Sequence, residues 1–198
     1  EAVAGGSAGN RTASATGVGS GEQSTAERCD VGEVVRERMV FWSAVARDQD
    51  RPCIVLGAES LAPVPLPRAD LAAALDAVVG NVLRYTPQGT ALEVAVSRHD
   101  GWVALRVDDA GPGIPDPDRA VRRGVSDHGS TGLGLDIARR VTQAARGSVN
   151  IGRARLGGAS VIMLFEDADE PPKQASRFGL IGRLAREPRK KFERRRNS

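Results

Sequence analysis

Val34, Val35, Phe41, Trp42 and Val45 place apolar groups mainly on one helical stripe of the segment that follows Asp30. Asp30 with Glu33 makes a capping-box-like start, with Asp in place of Ser or Thr, and the pattern predicts a helix over Val31 to Arg47. After Asp50-Arg51-Pro52 the run Cys53-Ile54-Val55-Leu56 suits a short strand, and Pro63, Pro65 and Pro67 mark an extended connection. Leu71, Ala74, Leu75, Val78, Val79, Val82 and Leu83 then recur at i, i+3, i+4, i+7 and i+8. They predict an amphipathic helix that begins near Arg68 and ends before Thr86-Pro87, with Asn81 near its end and off the apolar stripe.

Period two replaces this pattern downstream. Leu92, Val94 and Val96 alternate in one segment and Val103, Leu105 and Val107 in the next, with His99-Asp100-Gly101 between them as a hairpin turn. Asp109 follows at the second strand's end. Residues Pro115 to Ser130 show no sustained period and form a candidate lid. A third helix is expected over Leu133 to Ala145, and Ser148 to Ala154 with Ala159 to Phe165, joined across Gly157-Gly158, reads as a closing hairpin. Helices combined with antiparallel hairpins argue for an α+β protein, a two-layer α/β sandwich.

A length of 198 residues suits one domain with tails. Residues 1–28 are mostly Gly, Ala, Ser and Thr, with no apolar side chain larger than Val before Ala26; they read as a flexible linker to a domain over 29–170. No run of eighteen apolar residues and no basic-then-apolar leader occurs, so the chain as given reads as soluble. Cys29 and Cys53 lack metal-ligand spacing and read as reduced packing residues. The net charge of +3 divides unevenly. Residues 171–198 hold ten Lys/Arg against two Glu, whereas the first 170 residues hold 18 against 23, so the domain itself is mildly acidic. The basic pI therefore does not point to a specific nucleic acid. Phe178, Ile181, Leu184 and Ala185 form a weak helical face in this tail, which reads as a disordered, solubilising terminus, with contact to anionic lipid, nucleic acid or a protein partner as the other readings.

Three features suggest a nucleotide pocket by their order: Asn81, then Asp109-Ala110-Gly111-Pro112-Gly113-Ile114, then Gly129-Ser130-Thr131-Gly132-Leu133-Gly134-Leu135. A helical amide side chain can ligate Mg²⁺, a carboxylate backed by glycines can read an adenine amino group, and a glycine-rich helix start can hold phosphates. The set resembles the N, G1 and G2 boxes of Bergerat-type ATPases, most closely the ATP-binding catalytic domain of actinobacterial-type sensor histidine kinases. The likeness runs from about Asp30 to Asp167.

The resemblance implies ATP and Mg²⁺ as cofactors, with the γ-phosphate passed to a histidine on a separate dimerisation domain, in cis or in trans, and a response regulator downstream. It implies a cytoplasmic domain whose full-length parent can be membrane-anchored. Asn81 is then the metal ligand and a catalytic residue. Arg84 reaches phosphate, Tyr85 packs beside adenine, Asp109 reads its amino group, and Gly111, Gly113 and Ile114 line the base. Thr131, Gly132, Leu133, Gly134 and Leu135 meet the phosphates. Asp108 could compete with Asp109, but the Asp-x-Gly-x-Gly spacing selects Asp109. The chain departs from the family at Ala77, where an Asn or Glu commonly stands four residues ahead of the metal ligand; Asp76 beside it is the remaining catalytic candidate. Arg122, Arg123 and His128 are the polar candidates of the short lid, which lacks a phenylalanine box, and neither His99 nor His128 sits in a phosphoacceptor pattern. Two other functions fit the same motifs: a stand-alone ATP-binding regulatory module and an anti-sigma-factor-like serine kinase.

Overall fold

The computed structural model describes residues 27–114 and 133–172. The expected linker up to Ala26, the lid and the tail beyond Pro172 lie outside the described residues. A short β1 (Cys29–Asp30) leads into α1 (Val31–Asp48), followed by β2 (Cys53–Leu56), β3 (Pro63–Val64) and α2 (Arg68–Tyr85). Then come β4 (Leu92–His99), β5 (Trp102–Asp109), α3 (Leu133–Ala144), β6 (Ser148–Arg153) and β7 (Ala159–Glu166). Each predicted helix and strand is present to within a residue or so at its ends.

Five strands form one mixed sheet in the order β2-β4-β5-β7-β6. Among the described residues only β2 pairs in parallel, with Cys53 opposite Leu92; the other pairs are antiparallel. Alternation assigns Leu92, Val94, Val96, Val103, Leu105, Val107, Val161, Met163 and Phe165 to one face, where they form a single core with Leu71, Leu75, Val78 and Val79 of α2 and Val31, Val34 and Val35 of α1. This is the two-layer sandwich expected from the pattern. The opposite face carries Trp102, Ala104, Ile162 and Leu164, also buried but in a separate cluster that, among the described residues, includes none from a helix.

Asp30 caps α1 as its position suggested. Its Oδ1 accepts the Glu33 N–H at 2.7 Å, while Oδ2 accepts the Ala62 N–H at 2.6 Å. The proline-rich connection holds β3, which pairs with β1 and closes a miniature sheet beside the main one. Both cysteines are free and half-buried, and burial pushes the Cys29 thiol up to about 11.

After β7 the chain doubles back over this corner. Asp167 N donates to Gly101 O and Ala168 N to Pro63 O, both at 2.9 Å, and Arg28 pairs with Asp169. The buried Asp167 carboxylate pairs with Arg98 and accepts the N–H groups of Asp169 and Glu170 at 2.8 and 3.2 Å. Burial alone raises its pKa, but the Arg98 hydrogen bond and the two backbone donors outweigh that and hold the carboxyl below its ordinary value. A depressed carboxyl stabilises the fold above its unfolded pKa of about 4 and loses that contribution as the pH falls through its folded value. Asp167→Asn is accordingly expected to destabilise the domain by about 1.5–3 kcal/mol at neutral pH. Thermal melts at a series of pH values should show the gap closing below about pH 4.

Candidate functional site

β5 ends by delivering Asp109 to the helix side of the sheet. Its neighbour Asp108 faces the other way, 3.5 Å from Arg106, with its carboxyl pushed up by burial against the opposing Ser160 hydrogen bond and Arg106 charge. Asp109 is buried at 5% exposure. Its Oδ1 accepts the N–H of Gly111 at 2.7 Å and that of Ala159 at 3.2 Å. One oxygen thus fixes the glycine turn, and among the described residues no hydrogen bond reaches Oδ2. A carboxylate held this way keeps one acceptor for a donor arriving from the pocket side.

The turn is closed by backbone. A β-carbon on Gly158 would lie 2.1 Å from Asp109 Oδ1 and 2.5 Å from Gly111 N, so no other residue fits beside the carboxylate without moving it. Thr86, just past α2, lays its methyl on the same turn: a β-carbon on Gly111 would meet Thr86 Cγ2 at 2.6 Å. Tyr85 and Arg84 immediately before it have exposed side chains, and Ile114 is half-buried beyond Gly113.

Asn81, one turn earlier on α2, faces the start of α3. A β-carbon on Gly134 would come within 2.4 Å of Asn81 Nδ2 and 2.9 Å of Oδ1, so the carboxamide rests directly on the Gly134 backbone. The first turn of α3 offers N–H groups without intrahelical partners and the positive end of the helix dipole at this place. The structure therefore joins the Asn81 amide to the glycine-rich helix start, and Asp109 to the end of the same helix α2. Thr131 and Gly132 lie outside the described residues, as do Arg122, Arg123 and His128, and of Leu133 only the backbone is described. Leu135 packs partly into the core. Among the described residues no three His, Cys, Asp or Glu side chains cluster to hold a metal, so a cation beside Asn81 would need oxygens brought by its ligand.

Residues 68–169, 102 of the 198, match the family described as histidine kinase-, DNA gyrase B- and HSP90-like ATPases. The chain belongs to this family. Its relatives are sensor histidine kinases. It is 32% identical to the sensor protein kinase PmrB of Pseudomonas aeruginosa over 52% of this chain and 24% of that one. It is 31% identical to the sensor-type histidine kinase PrrB of Mycobacterium leprae over 56% and 24%. The chain thus spans about a quarter of the length of either relative. The fold is shared with the mycobacterial sensor histidine kinase MprB, at a TM-score of 0.61 and 22% identity, over 74% of this chain and 99% of that one.

Within this ATPase domain Asp76 is engaged elsewhere. Its Oδ1 accepts Arg38 Nε at 2.9 Å and Trp42 Nε1 at 2.7 Å, and its Oδ2 lies 2.8 Å from an Arg38 guanidinium nitrogen. These contacts place the carboxylate in the seam between α1 and α2, away from the Asn81 face, and leave it 30% exposed. A structural role in helix packing explains all of them.

Sequence reasoning overlooked Arg51, which is 4% exposed. It donates to Gln49 Oε1 at 2.8 Å, to Leu83 O at 3.0 Å and to Thr86 O at 2.8 Å, and also to the Thr86 hydroxyl. Burial lowers its pKa from the ordinary arginine value, opposed by the charge of Asp109. A signal for it existed: α2 ends at Thr86-Pro87 without a capping glycine, so its last carbonyls need a donor from outside the helix. Arg51 supplies that donor and so fixes the helix end that carries Arg84, Tyr85 and Thr86. Arg51→Met, which keeps the stem and removes the donors, is expected to lower stability by about 2–3 kcal/mol in urea denaturation, with Arg51→Lys restoring only part of it.

Proposed function

We propose that this domain binds Mg-ATP and donates the γ-phosphate to a histidine on a separate dimerisation domain. The observation that carries the reading is Asp109, a buried carboxylate with one oxygen fixed by Gly111 and Ala159 and the other available to an adenine amino group. Guanine offers a carbonyl at that position, so the same geometry selects adenine. Gly158 and Gly134 support the reading because they let backbone pack directly against Asp109 and Asn81 and so hold both side chains in place. Asn81 Oδ1 is the oxygen assigned to Mg²⁺, which when bound neutralises phosphate charge. Arg84 adds a cation for the phosphates, Tyr85 and Ile114 flank the base, and the N–H groups of the helix start near Gly132 and Gly134 complete the anion site. The protein's part is positioning, with an acceptor imidazole supplied by another domain or protein.

Relatives that are sensor kinases support a response regulator as the downstream partner and a cytoplasmic location for the domain. No helix among the described residues is long and apolar enough to cross a membrane. The test is incubation with γ-labelled ATP, alone and with candidate dimerisation domains. An acid-labile, base-stable phosphate is expected only on the added domain; labelling of His99 or His128 would overturn the division of labour. A second reading, an ATP-binding regulatory module without transfer, is favoured by Ala77 and by the engagement of Asp76 with Arg38 and Trp42. Nucleotide binding with no transfer to any acceptor would select it.

A further inference from the structure

We propose that the sheet face turned away from the helices is the docking site of this chain's own basic segment, with Phe178, Ile181 and Leu184 laid against Trp102, Ala104, Ile162 and Leu164. Those four sheet residues are 5%, 1%, 6% and 0% exposed. α1, α2 and α3 all pack on the other face, and none contributes to this cluster. A two-layer domain leaves such a face to water, so its burial calls for a third layer.

The place where the described chain stops says what that layer is. A β-carbon on Gly101 would lie 2.5 Å from Pro171 O, which puts the start of the tail beside Trp102, the first residue of the face. Five residues, 173–177, reach about 17 Å when extended, and a helix over 178–186 is about 13 Å long. Strands β5 and β7 offer about 20 Å from Trp102 to Asp108. The apolar spacing Phe178, Ile181, Leu184 gives the segment one oily stripe to match an aliphatic and indole surface. Charge agrees in sign as well. Glu93, Asp108 and Glu166 stand on this face by strand register, Arg106 neighbours the first two and Arg146 lies 3.9 Å from Glu166, which leaves the group net acidic, and the tail carries ten Lys/Arg against two Glu. Docking here leaves the helix layer and its pocket untouched, so the inference does not depend on the nucleotide reading.

Two measurements test it. In a Trp42→Phe background Trp102 is the sole tryptophan of the full chain. Adding Phe178→Asp and Ile181→Asp is expected to red-shift its emission and raise its quenching by iodide, with the far-ultraviolet circular dichroism still that of a folded domain. The second uses the unmodified chain, whose only lysines are Lys173, Lys190 and Lys191. Zero-length carbodiimide coupling should join these lysines to Glu93 or Glu166 within one molecule, mapped by mass spectrometry. Coupling confined to the tail or to helix-layer carboxylates such as Glu37 and Asp70 would overturn the proposal. So would a Trp102 signal that ignores the aspartates, that changes only with protein concentration as a second copy would require, or that stays fixed while the tail binds anionic vesicles.

Discussion

Asp109→Asn is expected to weaken ATP binding about ten- to a hundredfold, the equivalent of one charge-assisted hydrogen bond of about 1.5–3 kcal/mol. The substitution is informative because the carboxylate has two separable duties. The amide oxygen can still accept from Gly111 and Ala159 N–H, now at 2.7 and 3.2 Å, so the glycine turn should survive. Its NH₂ then occupies the position of the free oxygen and presents a donor to the donor of adenine. Affinity for GTP is expected to rise relative to ATP, since the guanine carbonyl can accept from that amide. Calorimetric titration with both nucleotides checks the pair of outcomes, and unchanged ATP affinity in a folded variant would remove Asp109 from the pocket.

Removing the Asn81 carboxamide should have a larger effect on chemistry than on folding. Asn81→Ala is expected to make nucleotide binding insensitive to Mg²⁺ and to slow transfer to an added dimerisation domain by about a hundredfold or more, the scale on which charge-stabilising groups act. Gly134→Ala should reproduce the loss by displacing the Asn81 side chain, with residue 81 itself unchanged. The added methyl would fall 2.4 Å from Asn81 Nδ2, and a side-chain end gives way more readily than backbone. Binding compared in excess Mg²⁺ and in EDTA is the check. Full Mg²⁺ dependence in Asn81→Ala would break the metal assignment, whereas loss in Asn81→Ala but not in Gly134→Ala would mean that the contact between the two is not needed.

The faces turned to the core are what sequence made most legible. The α2 stripe from Leu71 to Leu83 and the alternation of β4 survive because solvent on one flank forces a period, whereas Asp109 was singled out by its spacing to glycines and Asn81 by its order ahead of the two glycine-containing motifs. Where both flanks are dry the period reports one face only. β5 alternates as Val103, Leu105 and Val107 yet is buried along its whole length, so Trp102, Ala104, Arg106 and Asp108 gave no hint of a second buried cluster. Arg51 was equally hidden, because a charged residue between Asp50 and Pro52 looks solvated until a helix end is found to need it. The engagement of Asp76 depends on Arg38 and Trp42, which lie 38 and 34 residues away, and no local pattern reports such a contact. β1 and β3 have two residues each, too short for any period, and their pairing follows only from the way the chain returns past Asp30.

That corner has a mechanical meaning. Arg28 meets Asp169, and Ala168 bonds to Pro63 in the miniature sheet, so the segment entering β1 and the segment following β7 lie side by side. Tension applied between those two points would first load the Arg28–Asp169 pair and the Ala168–Pro63 hydrogen bond, and then the pairing of Arg98 with Asp167 and Asp169, before any ladder bond of β4, β5 or β7. The nucleotide-facing half then hangs from the polypeptide like a pendant from a single swivel. Torque or stretch delivered through the flanking chain would reorient it as a rigid unit and leave the spacing between Asn81, Gly134 and Asp109 unstrained.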